Sequence, residues 1–315
     1  MLAYILGRFV QFLLSLLVAS VIVFALMSVL PGNAAQVALG TNATPEAVAA
    51  LEARYGLDEP PIVRYLDWVG GMVQGDFGTS YVTGTQITPV IVDSVQVTAI
   101  IVVTAIVLAV AIAVPLGTFA ALEQRNWVGA TISALSQVGI AIPNFLAAIL
   151  LVMVFSLTLG WFPSQGWTAP IEGFGDFLAG LVLPVVALAL VQAAILTRYV
   201  RSAVLDVMRE DFIRTARAKG LTRTRALFAH GLRNAAIPVI TVAGVQLATL
   251  LVGAVVIEQI FVLPGIGSEL VRAVANRDLL TVQGIVMVLI VLVLIINFIV
   301  DLLYPVVDPR LRNAA

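Results

Sequence analysis

Residues Phe9–Leu30 read "FVQFLLSLLVASVIVFALMSVL", 22 positions without a charge, whose most polar members are Gln11, Ser15, Ser20 and Ser28. A helix rises about 1.5 Å per residue, so about 20 apolar residues cross the hydrocarbon of a bilayer. The stretch therefore predicts a membrane span. Five more runs of this kind follow, at about 95–122, 131–159, 178–200, 237–262 and 281–304. Backbone in hydrocarbon must satisfy its own N–H and C=O groups, so each run reads as a helix. The first run also resembles a signal peptide in its flanks, Arg8 before it and Asn33-Ala34-Ala35 after it. Its length exceeds the about 7–15 residues of a signal hydrophobic core, which favours a retained helix. The expectation is an all-α integral membrane protein with six transmembrane helices in one domain over residues 1–315.

Composition agrees. The 315 residues are 61% hydrophobic and only 11% charged. A soluble domain is about 25% charged. There is no cysteine, which excludes a disulfide framework and a thiolate metal site.

The 17 Lys and Arg residues are unevenly placed. With six spans, one side holds Arg8, Arg125, nine basic residues from Arg198 to Arg233, then Arg310 and Arg312. The other side holds Arg54, Arg64, Arg272 and Arg277. Excess positive charge marks the cytoplasmic side. Both termini and the loop over residues 201–236 are therefore expected inside, and the loop over residues 31–94 outside.

That outer loop carries seven acids and two bases. In "NATPEAVAALEARYGLDEP", Thr44 is placed to cap a short helix, Pro45 suits its first position, Glu46 its dipole and Gly56 its end. Ile62, Tyr65, Leu66, Val69, Met72 and Val73 then recur at helical spacing, which predicts an interfacial helix before a turn at "GDFG". The acidic loop is either a solvated face or a docking surface for an external partner. Two further outer loops carry turn residues: "LGWFPSQGWTAPIEGFGDF", with Trp161 and Trp167, and the Pro264-Gly265 turn, after which a short amphipathic helix is expected.

Chemistry-bearing groups are few. There is no phosphate-binding loop, and the single His230 has no metal-ligand company, so it reads as structural. No nucleophile–base pair is evident. A proton-coupled carrier calls for a mid-span acid, and none is well placed. Polar residues lie within or at the ends of spans: Gln96, Gln137, Asn144, Gln192, Gln246, Glu258, Asn297 and Asp301. Gln96, Gln192, Gln246 and Glu258 are the candidates to line a translocation path, against the alternative that they bond neighbouring helices. Pro115, Pro143 and Pro184 fall inside spans and are expected to kink them or free carbonyls.

The inner loop is the most distinctive segment. "RTARAKGLTRTRALFAHGLRNAAIP", Arg214–Pro238, gathers six of the 17 Lys and Arg residues. Asp211–Lys219 reads as a short helix with Phe212 and Ala216 on one face and Arg214 and Arg217 exposed. Gly220 suits the left-handed residue after it, and Thr222 starts another helix. Ala216, Ala218 and Gly220 add little bulk, so a partner surface could approach closely. Basic loops of this kind also enforce topology or bind anionic lipid.

This loop resembles the cytoplasmic signature of binding-protein-dependent ABC importer permeases, Glu-Ala-Ala, three residues, Gly, and a later Ile and Pro. Ala216, Gly220, Ile237 and Pro238 match it; Arg214 and Thr215 stand where the pattern often has Glu and Ala. "LPGNAA", "RYGLDEPPIVRYLDWVGGMVQGDFGTSY", "LGWFPSQGW" and "EQIFVLPGIGSELVRAVANRDLLTVQG" resemble the same family, in its dipeptide and oligopeptide branch, which nickel and glutathione importers share. The resemblance implies a type I importer permease fold in a bacterial inner membrane. It implies a homologous second permease, two cytoplasmic ATPase subunits or a fused one, and an external peptide-binding protein. ATP and Mg would be bound by the ATPases, with no cofactor or nucleic acid on this chain and lipid around it. Phe212, Arg214, Ala216, Arg217, Lys219 and Gly220 would then form the helix that couples to the ATPase.

Because the chain has no cysteine, topology is testable with single introduced ones. Arg217→Cys should react with a membrane-impermeant maleimide only in inverted vesicles, and Trp167→Cys only in intact cells. The reverse pattern would invert the assigned sides.

Overall fold

The computed structural model describes residues 2–29 and 34–307. The start of "LPGNAA" (Leu30–Asn33) and the C-terminal Arg310 and Arg312 lie outside the described residues. Every regular element described is a helix, apart from an isolated Thr79–Gln86 bridge.

Thirteen α-helices are described: α1 (Leu2–Val29), α2 (Ala34–Leu39), α3 (Pro45–Arg54), α4 (Pro61–Val73), α5 (Ile87–Leu122), α6 (Trp127–Ala141), α7 (Asn144–Leu151), α8 (Phe174–Val207), α9 (Asp211–Ala218), α10 (Arg223–Ala226), α11 (Leu232–Phe261), α12 (Ile266–Ala275) and α13 (Leu279–Val307). Single π-type segments follow α7 and α10, at Val152–Thr158 and Leu227–Gly231. Five of the helical stretches are long and apolar enough to cross a bilayer, or six if α6 and α7 count as one bent span.

That bent span departs from the sequence expectation of one helix over 131–159. The two arms meet at 99°. Ile142 is extended (φ −86°, ψ 119°) and so is Pro143 (ψ 144°). A proline disfavours helical backbone at the residue before it, and here two consecutive residues leave the helical region. Pro115 and Pro184, by contrast, sit inside the unbroken α5 and α8. One proline of the three expected to disturb a span breaks the helix.

The chain divides into two compact units. One comprises residues 99–263 with the two terminal segments. It is built on α8, which packs along α6, α7 and α11. Close approach depends on small residues: a Cβ at Gly117 would lie 2.7 Å from the Thr197 carbonyl oxygen of α8. Below this, Ala121, Val200, Ala203, Val204, Leu227 and Ala235 form a buried cluster. Asp301, placed by sequence at a span end, accepts the Arg8 guanidinium at 3.3 Å, and its carbonyl accepts the Tyr4 hydroxyl.

The second unit comprises residues 9–98 and 264–295. Its core joins Ile87, Ile91, Ile266 and Ile285. Thr44 caps α3 by accepting the Ala47 N–H, and Gly56 turns the chain at φ +64°. The buried Asp278 carboxylate accepts the hydroxyls of Ser80 and Thr281, each at 2.6 Å. The Ile266 N–H, at the start of α12, finds the Thr98 hydroxyl. A buried helix start is thereby satisfied.

Gly129 begins α6 so close to the preceding turn that a Cβ there would lie 2.3 Å from the Glu123 carbonyl oxygen. Gly129→Ala should destabilise the protein by about 1–3 kcal/mol, the usual cost of overpacking. The thermal midpoint in detergent should fall, while Gly175→Ala, where nothing lies near, should leave it unchanged.

Candidate functional site

The loop over residues 201–236 carries two short linked helices, α9 and α10, in the first unit. Glu210 is extended and Asp211 opens α9. The Thr215 hydroxyl returns to the Asp211 carbonyl at 2.9 Å, and Arg214 pairs with the Asp211 carboxylate at 3.2 Å. The helix closes with Gly220 N–H donating to Arg217 and Leu221 N–H donating to Ala216. Gly220 takes φ +95°, the left-handed conformation read from its place in the sequence. Thr222 accepts the Arg225 N–H and so starts α10.

Burial divides the six residues assigned to this helix. Phe212, Arg214, Arg217, Lys219 and Gly220 are exposed. Ala216 is 7% exposed and packs with Ile213 and Ala226, against Val207, Met208 and Leu221. The sequence reading that put Phe212 and Ala216 on one face is therefore corrected. Ile213 and Ala216, three apart, form the inner face, and Phe212 turns outward. The periodicity admits either face; the large apolar Ile213 decides it, because it is fully buried and Phe212 remains 38% exposed.

Sequence reasoning missed Arg223. Its Nη1 donates to the Leu122 carbonyl at 2.9 Å and its Nη2 to the Ala121 carbonyl at 3.2 Å. These are carbonyls of the last turn of α5, about 100 residues away in sequence. Among six basic residues in the stretch, no spacing rule separates Arg223 from the rest.

The four path candidates divide between the two units. Gln96 belongs to the second unit and is exposed. Gln192 is 2% exposed in α8, and its Oε1 has no hydrogen-bond partner among the described residues. Gln246 is half-buried, whereas Glu258 is fully buried, both on α11. Twelve helical residues separate them, about 18 Å along the axis. Asn144 also carries a buried amide oxygen with no partner among the described residues, and its Nδ2 lies against Gly253 of α11.

In the second unit, Tyr55, Arg64, Asp67, Trp68 and Tyr81 help line a cavity of about 400 Å³. Burial pushes the Tyr81 phenol above its ordinary pKa, and the Arg64 charge partly offsets that.

Membrane-length helices, a proline-broken pair and a small basic helix carried between two of the longest apolar stretches define a multi-span membrane protein. Nearly the whole chain is matched by two family models. Residues 113–313 match the binding-protein-dependent transport system inner membrane component, and residues 1–106 match the N-terminal region of such components. The chain belongs to this family of inner membrane permeases. It is 39% identical to the oligopeptide transport system permease protein AppB of Bacillus subtilis, covering 99% of this chain and 100% of that protein. It is 35% identical to the glutathione transport system permease protein GsiC of Salmonella choleraesuis, over 99% of each. Among solved structures, a chain from the crystal structure of an amino acid ABC transporter with histidines matches with a TM-score of 0.53 at 17% identity, covering 69% of this chain and 94% of that one. That likeness is one of fold.

Since Ala216 faces inward, Ala216→Trp should act on the loop's own packing. The expected cost is about 1–3 kcal/mol, with a lower thermal midpoint. Arg217→Trp, on the exposed face, should leave the midpoint unchanged. Equal midpoints for the two variants would show that Ala216 is open.

Proposed function

We propose that this chain is one of two permease subunits of an ATP-driven importer, forming with a homologous partner the path for di- or oligopeptides delivered by an extracytoplasmic binding protein. The observation that carries the reading is α9: a basic helix held to its own chain by Ile213 and Ala216, with Phe212, Arg214, Arg217 and Lys219 left outward. Such a helix suits the cleft of a cytoplasmic ATPase subunit, whether the two ATPases are separate or fused. ATP and Mg bind there, not here. Both termini lie in the cytoplasm, the α6–α7 pair makes one crossing, and the loop over residues 31–94 faces the binding protein. The distribution of Lys and Arg supports this orientation.

ATP binding would draw the ATPases together and carry α9 with them. Switching access from 1:99 to 99:1 takes about 5.5 kcal/mol of differential stabilisation. Repacking at the ATPase interface is the source of that bias. Apolar and small side chains dominate the spans, with Gln192, Gln246 and Glu258 on the first unit's helices and Gln96 on α5 among the few polar exceptions; selection among peptides then falls to the binding protein. The 35% identity to a permease named for glutathione supports a second reading, the same machine importing a small thiol peptide; nickel remains an alternative cargo of the branch. Uptake of labelled dipeptide, pentapeptide, glutathione and nickel by the reconstituted complex separates them.

The double variant Phe212→Ala, Arg217→Glu should insert and pair with the second permease. Uptake and substrate-stimulated ATP hydrolysis should fall together by about five- to tenfold, the size of an ordinary coupling energy. Wild-type rates in both assays would move the docking site away from α9.

A further inference from the structure

We propose that Arg223 is the positioning residue that transmits movement of the inner loop to α5. This rests on the importer reading above, and extends it from where the ATPase docks to how docking reaches a span. The last carbonyls of a helix have no partner within it and carry the negative end of its dipole. Arg223 meets two of them at once, from Ala121 and Leu122, at 3.2 and 2.9 Å. A guanidinium offers donors in a fixed fork, so a two-point contact fixes direction as well as distance. The contact is charge-assisted, which makes it stronger than a neutral hydrogen bond.

Arg223 is also rigidly tied to α9. It is the first residue of α10, capped by Thr222. Three residues on, Ala226 is fully buried against Ile213 and Ala216 of α9. The next residue, Leu227, joins the cluster that contains Ala121 of α5 and Val200 and Val204 of α8. A displacement of α9 is thus carried through Ala226 to α10, and through Arg223 to the end of the 36-residue α5. The apolar contacts around Leu227 are non-directional, whereas the two hydrogen bonds of Arg223 set a direction.

The test uses the reconstituted four-component complex with its binding protein, measuring peptide uptake, ATP hydrolysis and recovery of the assembled complex. Arg223→Ala and Arg223→Met should assemble and hydrolyse ATP, with peptide imported per ATP reduced about five- to tenfold. Arg223→Lys, which keeps the charge and reaches one carbonyl, should restore part of that ratio. A merely structural role would lower recovery, hydrolysis and uptake together and leave the ratio unchanged, which would overturn the assignment. If Arg223→Ala fails to assemble, Arg223→Lys carries the test, and a wild-type ratio in it would count against the two-point contact. A wild-type complex whose hydrolysis ignores substrate would instead overturn the importer reading, and this assignment with it.

Discussion

Hydrocarbon offers no partner to a peptide N–H or C=O. That one constraint makes every long apolar run here a helix, and it directs attention to the places where helices stop. Each stop must be answered by a local donor or acceptor. Thr98 answers the start of α12, Thr222 the start of α10, and Arg223 the end of α5. The break at Ile142–Pro143 is a stop of another kind, in which the chain bends by 99° and begins again.

The same constraint explains the sparse chemistry. A permease spans the bilayer with side chains that resemble it, and the few polar groups it retains are costly when unmatched. The amide oxygens of Gln192 and Asn144 have no partner among the described residues. An unsatisfied buried polar atom costs about 1–3 kcal/mol, so such groups are rarely retained without cause. By contrast the Asp278 carboxylate is matched by two hydroxyls, which fits a structural role in pinning the 76–86 segment to the start of α13.

In the importer proposed above, energy from another chain would enter through a surface that is firm on one side and open on the other. The α9 helix meets both needs. Ile213 and Ala216 anchor it and its basic face is bare. Rim charges such as Arg214 and Arg217 contribute little stability themselves, being solvated and screened, but they set the register of an encounter. Anchoring matters because a loosely held helix would absorb a push locally.

Much of this was legible in the residues themselves. The apolar runs, the basic loop, the Thr44 cap, the left-handed Gly220 and the family signature at Ala216, Gly220, Ile237 and Pro238 are local features, set by side-chain chemistry within a few turns of chain. Three things were not. Whether Pro143 kinks or breaks a span depends on what packs against both arms; Pro115 and Pro184 have the same covalent restriction and leave their helices whole. Which face of α9 turns inward was open because Phe212 and Ile213 are both apolar, and the choice rests on Val207, Met208 and Ala226 beyond the helix. The partners of Arg223 lie about 100 residues away. Sequence by itself determined where the chain is apolar, where it turns and where its charge collects, because those follow from each residue's own free energy in water or lipid. Tertiary structure alone decided which side chains meet, because that depends on how separate helices fill the space between them.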